Sequence, residues 1–346
     1  MNKRLAKLKE YLRANKLDSS IITDRKNMQY FSGYTGEGYM FVSEDLCCIV
    51  TDFRYTEQAE KQTQGFTVCD SADFSPEENF SSFEATGFED RSIGYLRYEA
   101  FKKIFKNLIP LGTGLLDMRA VKDDEEISNI RMAEHIGDMA FSHILDYIKP
   151  GVSERDIALE IEFFMRRNGA DALSFDTIVA TGAHGAMPHA EPDQRVICNG
   201  DFVVLDFGCV YKGYSSDMTR TVCAGKATSE MKAVYNKVLE AQLSCLDMLK
   251  AGVKACDVHN NAQRIIDTCY KGCFGHSLGH GVGLDIHENP SLSSKNLNPL
   301  VVNNVVTVEP GIYIKDFCGV RIEDLVVIKE DGILNLTNSH KNLMEL

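Results

Sequence analysis

Apolar residues recur at helical spacing through Leu5, Leu8 and Leu12 in the charged stretch that opens the chain, and this predicts an amphipathic helix. Short β-branched and aromatic runs follow at residues 20–23, 39–42 and 47–50, each of strand length and bounded by polar segments. Helix and strand patterns alternate in this way to about residue 117, which predicts a small α/β domain over residues 1–117. Beyond a polar stretch the pattern changes. A long helical run covers residues 124–147 and stops at Pro150-Gly151. Ser153 with Asp156 three positions on resembles a capping box, opening a second helix through Arg167 that ends at Asn168-Gly169. Strand patterns come next, then helical patterns over 229–250 and 255–270, then strands to the end. The order helix, helix, strands occurs twice, which predicts a duplicated α+β domain over residues 118–346.

Within that second domain, Phe202, Val203, Val204 and Leu205 form an apolar run ending in Asp206, and a turn-like Tyr211-Lys212-Gly213 precedes Asp217. Together they predict a β-hairpin. Closed about Tyr211 and Lys212, the hairpin places 206 and 217 opposite one another, with the two carboxylates on one face roughly 5 Å apart at Cβ. Like charges so close repel unless a cation lies between them, and hard carboxylate oxygens suit a divalent ion. His280, Glu309 and Glu323 also fall in strands or at strand ends. The two glutamates stand beside the β-branched runs 305–308 and 319–322, where an unpaired carboxylate is expensive to bury. Taken singly, each of the five has an ordinary reading as a turn, surface or core residue; their joint occurrence favours coordination. Four carboxylates and one neutral imidazole balance two divalent ions. Oxygen-rich ligation points to manganese, with cobalt, zinc or iron also fitting, and paired ions of this kind suit metal-assisted hydrolysis. His189, His276 and His287 lie near the ligands in sequence, and histidines so placed can donate to developing negative charge or move a proton to a leaving amine. His184 reads as a loop histidine.

Composition narrows the partners. The chain has 346 residues, 44% of them apolar, and a formal net charge of -13. No Lys/Arg cluster breaks that balance, so nucleic acid and anionic membranes are poor partners. The opening segment lacks the continuous apolar core of a signal peptide, and no run approaches a membrane span. Eleven cysteines, an odd number, without a secretion signal point to reduced thiols in a cytoplasmic protein.

The motifs 205–208, 216–221, 276–288, 308–313 and 319–324 together resemble the motif set of the pita-bread metallopeptidases, specifically the aminopeptidase P and prolidase branch. The resemblance spans nearly the whole chain. It implies an α+β pita-bread catalytic domain with pseudo-twofold halves, preceded by a small creatinase-type α/β domain. It also implies a metal set in which Asp206 binds one ion with both oxygens, Asp217 and Glu323 bridge two ions, and His280 and Glu309 complete the other shell. In that family a metal-bridging hydroxide attacks the carbonyl of the residue before proline, with Glu309 handling the proton. By the same resemblance His189 and His287 hydrogen-bond substrate and intermediate, His276 lines the proline pocket, and Tyr313 and Arg321 support the substrate and the ligands. The long N-terminal domain and Pro188-His189-Ala190 match the proline branch over methionine aminopeptidases, and retention of all five ligands argues against creatinase and the inactive peptide-binding relatives. The expected activity is an Xaa-Pro aminopeptidase acting on peptides with proline second, with an Xaa-Pro dipeptidase (prolidase) as the alternative and a homodimer as the usual assembly.

Overall fold

The hydrophobic stripe of the first helix buries Leu8 and Leu12. The computed structural model describes residues 3–346 and divides into two units, one running to Arg119 and one from Ala120 to Leu346. In the first unit the elements run α1 (Lys3–Ala14), β1 (Ser19–Ile22), α2 (Arg25–Ser32), β2 (Tyr39–Ser43), β3 (Cys47–Thr51) and α3 (Thr56–Gln62). They continue with β4 (Thr67–Asp70), α4 (Pro76–Phe80), β5 (Thr86–Phe88), α5 (Tyr95–Phe101), β6 (Leu108–Pro110) and α6 (Gly114–Ala120). The strands form one mixed sheet in the order β4-β3-β2-β1-β5-β6. Its core is aromatic: Phe41 stacks on Phe80 at 3.9 Å, with Phe88, Phe101 and Phe105 in the same cluster. Helix α6 stands where the sequence pattern turned polar; burial of Leu115, to 4% exposure, gives it an apolar anchor.

The second unit repeats one arrangement. Helices α7 (Asp124–Ile144) and α8 (Glu154–Arg167) precede β7 (Ala172–Leu173), β8 (Ile178–Thr181), a 3₁₀ turn (Gly182–Ala186), β9 (Asp201–Phe207), β10 (Cys209–Tyr211), β11 (Tyr214–Ser215) and β12 (Met218–Ala224). Helices α9 (Ser229–Met248) and α10 (Ala255–Asp267) precede β13 (Gly279–Gly281), β14 (Glu288–Leu292), β15 (Val305–Val308), β16 (Gly311–Ile314), β17 (Cys318–Arg321), β18 (Asp324–Lys329) and β19 (Gly332–Asn335). The first half forms the three-stranded sheets β11-β10-β7 and β12-β9-β8, and the second forms the five-stranded sheet β14-β13-β15-β18-β19 and the pair β16-β17. Ile136, Ile161, Leu205 and Phe207 share the first core, and Val238, Ile266, Val306 and Val326 share the second. Ser153 caps α8 by accepting from the Asp156 backbone N–H, and α7 opens on a reciprocal capping box of Asp123 and Glu126. Helix α7 ends at Ile144, short of 147, because the backbone tightens there into a Tyr147-to-Ile144 bond three residues apart. Helices α9 and α10 likewise stop at Met248 and Asp267, short of 250 and 270, on similar three-residue bonds.

The hairpin carrying the two aspartates differs from expectation in register. Its turn is Lys212-Gly213, with φ of 49° and 84°, one residue later than the predicted closure. A two-residue turn of this hand needs positive φ at both positions, and glycine adopts that at little cost. Tyr211 therefore pairs with Tyr214, Val210 with Ser215, and Asp206 with Thr219 in place of Asp217. Strand side chains alternate with period two, so Asp217 keeps the face of Thr219 and becomes a diagonal neighbour of Asp206. Between β9 and β10 lies Gly208, where a Cβ would stand 2.0 Å from the Ser216 carbonyl oxygen. The two strands approach too closely there for any larger residue.

Candidate active site

Each of the five candidate ligands is delivered by a strand or strand end. Asp206 lies in β9, Asp217 directly precedes β12, His280 is central in β13, Glu309 directly follows β15, and Glu323 directly precedes β18. They line a single cleft of about 580 Å³ together with His189, His276, His287, Tyr313 and Arg321. Phe175, Ile178, Pro188 and Pro192 supply apolar wall, and a small-molecule or peptide site commonly has this mixture. Asp206, Asp217, Glu323 and Arg321 are buried, whereas His189 and His287 are exposed to the cleft.

Four carboxylates meet around one imidazole. His280 Nε2 is 3.3 Å from Asp217 Oδ2 and 3.4 Å from Glu309 Oε1. Ligand atoms of Asp217, His280 and Glu323 all lie within 4.8 Å of one another. Burial raises the Asp217 carboxyl well above its ordinary value, and the charges of Asp206 and Glu309 add to that. Burial does the same to Glu323, reinforced by Asp217 and Glu309. Glu309 is pushed up to about 7 by burial, against the lowering influence of His280 and Arg321. Such a cluster holds negative charge only when a cation shares it.

The site's own hydrogen bonds fit a divalent cation. Asp206 Oδ1 and Glu323 Oε1 are buried with no protein partner, an expensive condition unless something else is bound there. His280 Nδ1 lies 3.1 Å from the Gly281 carbonyl oxygen and donates to it, which leaves the Nε2 lone pair facing the carboxylates. Hard oxygens with one imidazole nitrogen suit first-row divalent ions.

Arg321 organises the wall behind these groups. Its Nη2 donates to Asp206 Oδ2 at 2.6 Å, Nη1 to the Tyr313 hydroxyl at 2.9 Å and to the Pro188 carbonyl at 3.3 Å, and Nε to Thr219 at 3.1 Å. The Pro188 contact anchors the segment that carries His189. Tyr313 is also 2.9 Å from His276 Nε2, while His276 Nδ1 is 2.8 Å from the Ser277 carbonyl. A carbonyl can only accept, so Nδ1 carries the proton and Nε2 accepts from Tyr313. Burial lowers His276 to about 4 and raises Tyr313 to about 12, so both stay neutral near pH 7. Burial and the neighbouring His280 and His189 lower His287 as well, and its ring centroid is 4.2 Å from that of His280.

Three residues that carry this arrangement were not singled out in the sequence. Thr219 and Thr307 contact the two glutamates, and Glu134 on α7 accepts from the Asp217 backbone N–H at 3.3 Å and the Thr337 hydroxyl at 2.5 Å. Glu134 is fully buried and raised to about 8 by desolvation. A glutamate on the apolar face of a long helix was the available signal. His184 is no loop histidine: it is buried in the 3₁₀ turn and bonds through Nδ1 to the Glu154 carboxylate at 2.8 Å. It does not line the cleft. The turn brings a polar ring against a buried helix-start carboxylate, a pairing that sequence distance hid.

Comparison with known proteins agrees with this geometry. Residues 128–330 match metallopeptidase family M24, and residues 4–121 match the creatinase/prolidase N-terminal domain. The chain belongs to the M24 metallopeptidases and has their pita-bread fold. It is 36% identical to an Xaa-Pro dipeptidase of Pyrococcus furiosus, over 99% of this chain and 100% of that one. Its structure matches an Xaa-Pro dipeptidase from Bacillus anthracis with a TM-score of 0.96 at 39% identity, over 99% of each chain. An X-Pro aminopeptidase from Thermotoga maritima matches with a TM-score of 0.90 at 35% identity, over 97% of this chain and 99% of that one. The protein is therefore a hydrolase of the metallopeptidase class, and divalent metal is part of its chemistry.

Proposed function

We propose that this protein hydrolyses the peptide bond preceding proline, with Xaa-Pro dipeptides as its best-supported substrates. The observation that carries the reading is the convergence of Asp206, Asp217, His280, Glu309 and Glu323 on one cleft, with two buried carboxylate oxygens lacking partners. Removal of one residue from longer peptides, put first by the sequence resemblance, becomes the second reading. End-to-end likeness to Xaa-Pro dipeptidases supports the dipeptide better, and likeness to an X-Pro aminopeptidase keeps the longer peptide in view.

The five side chains would hold two divalent ions, manganese being the occupant that four carboxylates favour. Bound there, the ions would lower the pKa of a water and polarise the scissile carbonyl. Glu309, which lines the cleft beside His280, takes the proton from the attacking water and can return it to the departing proline nitrogen. His189 and His287, exposed on the cleft wall, donate to the carbonyl oxygen as it gains charge. His276 and Tyr313, neutral and tied to one another, form with Pro188 and Phe175 a wall on which a pyrrolidine ring can pack. Arg321 keeps Asp206 and the His189 segment in register.

The test is hydrolysis of Ala-Pro, Ala-Pro-Ala and Ala-Ala-Ala by metal-stripped protein with and without manganese. Manganese-dependent cleavage of Ala-Pro alone is the expected outcome. Cleavage of Ala-Pro-Ala supports the aminopeptidase, and no cleavage with any divalent ion refutes both readings.

A further inference from the structure

We infer that Thr219 and Thr307, one on a strand of each half, are positioning residues that hold the two glutamate carboxylates in place for the metal site. The inference rests on the metal reading above and adds to it two residues outside the ligand set.

Hydrogen-bond directions at Thr219 follow from its neighbours. Arg321 Nε can only donate, and it reaches Thr219 Oγ1 at 3.1 Å. The single hydroxyl proton of Thr219 is then directed to Glu323 Oε2, 2.6 Å away. Thr219 is fully buried, so water does not compete for that proton. Glu323 is left with Oε2 occupied and Oε1 buried without a partner, the oxygen available to an ion. Its backbone N–H also donates to the Thr219 carbonyl at 3.1 Å, so main chain and side chain are held by the same residue.

Thr307 holds Glu309 by a related contact, made to the oxygen that lies 3.4 Å from His280 Nε2. The His280 backbone N–H donates to Thr307 Oγ1 at 3.0 Å, and Thr307 then donates to Glu309 Oε1 at 3.1 Å. Thr307 is also fully buried. In both cases a hydroxyl accepts from a group that cannot accept in return, and its proton is committed to a carboxylate. Thr307 is joined to two candidate ligands at once, His280 through the main chain and Glu309 through the side chain. A carboxylate fixed in this way loses little freedom when it binds an ion, which is how groups outside the ligand shell tune affinity.

The test is titration of metal-free wild type and the T219V, T219S, T307V and T307S variants with cobalt(II), followed by calorimetry and by visible absorption. Valine keeps the shape and removes the hydroxyl; serine restores it. Each valine variant should bind cobalt roughly 10–100-fold more weakly than wild type, and each serine variant should stay within about threefold. The cobalt absorption band should shift in the valine variants and not in the serine variants, a readout that general loss of stability does not produce. Circular dichroism of the metal-free forms checks folding, and if one valine variant fails to fold the other decides. Valine variants binding as tightly as wild type, or serine variants weakened as much as valine, overturn the inference while leaving the metal site intact. Absence of cobalt binding by wild type removes the metal reading itself.

Discussion

At the scale of single residues, the site is a set of charges that disfavour one another until a cation arrives. Asp217 sits between Asp206, Glu309 and His280, and its backbone is tied to Glu134. Its replacement by alanine should lower kcat by about 1000-fold, roughly 4 kcal/mol of transition-state stabilisation, with the fold retained. Steady-state kinetics beside circular dichroism check this, and wild-type-like turnover would refute the two-ion assignment. Tyr313 accepts a hydrogen bond from Arg321 and donates one to His276. Tyr313→Phe removes both bonds while keeping the ring, and leaves the buried His276 Nε2 without its donor. A loss of about 1–3 kcal/mol, or on the order of tenfold in kcat/KM, is expected. The five candidate ligands were legible in the sequence because each falls in a strand pattern or at its end. Thr219, Thr307 and Glu134 were not, because their roles depend on partners 83 to 104 residues away or on the rotamer of a hydroxyl.

At the scale of elements, the hairpin from β9 to β12 sets the spacing of the first two candidate ligands. Its turn chemistry and its close approach at Gly208 decide the register, and the hydrophobic alternation decides only the face. Gly208→Ala places a methyl 2.0 Å from the Ser216 carbonyl oxygen, backbone that cannot move aside without separating the strands. The variant should lose on the order of 1–3 kcal/mol of stability, as overpacked sites do. Denaturant unfolding would show the midpoint fall, and an unchanged midpoint would mean the strands can part there at no cost. The helix pairs and the order of elements were legible from periodicity and caps. Helix ends were not, since their last turns close on tighter bonds that leave no mark in composition.

At the scale of the whole molecule, metal and proton compete for the same cluster. The Glu309 carboxyl lies at about 7, above its ordinary 4.5, so between those values the folded metal-free protein holds more protons than the unfolded chain. Stability of the metal-free form is therefore greatest below about pH 4.5 with respect to this group and is lost as pH rises toward 7. The loss is on the order of 3 kcal/mol. Asp217 and Glu323, raised in the same direction, add to it. Saturation with a divalent ion should reverse the trend, since binding at one hundred times Kd contributes about 2.7 kcal/mol. Thermal unfolding from pH 5 to 8, with manganese and with chelator, tests this: the melting temperature should fall with pH only in chelator. Parallel curves would contradict the charge-cluster account.

The sequence by itself determined the duplicated helix-helix-strand order, the candidate ligand types and the strand faces that carry them, because periodicity and residue chemistry are local properties. Tertiary structure alone decided that Asp206 faces Thr219 and that Arg321 joins Asp206 to Tyr313 and His276. It also decided that two buried carboxylate oxygens are left open for an ion. Those outcomes depend on strand register and on distances between segments far apart in the chain, quantities that no local pattern contains.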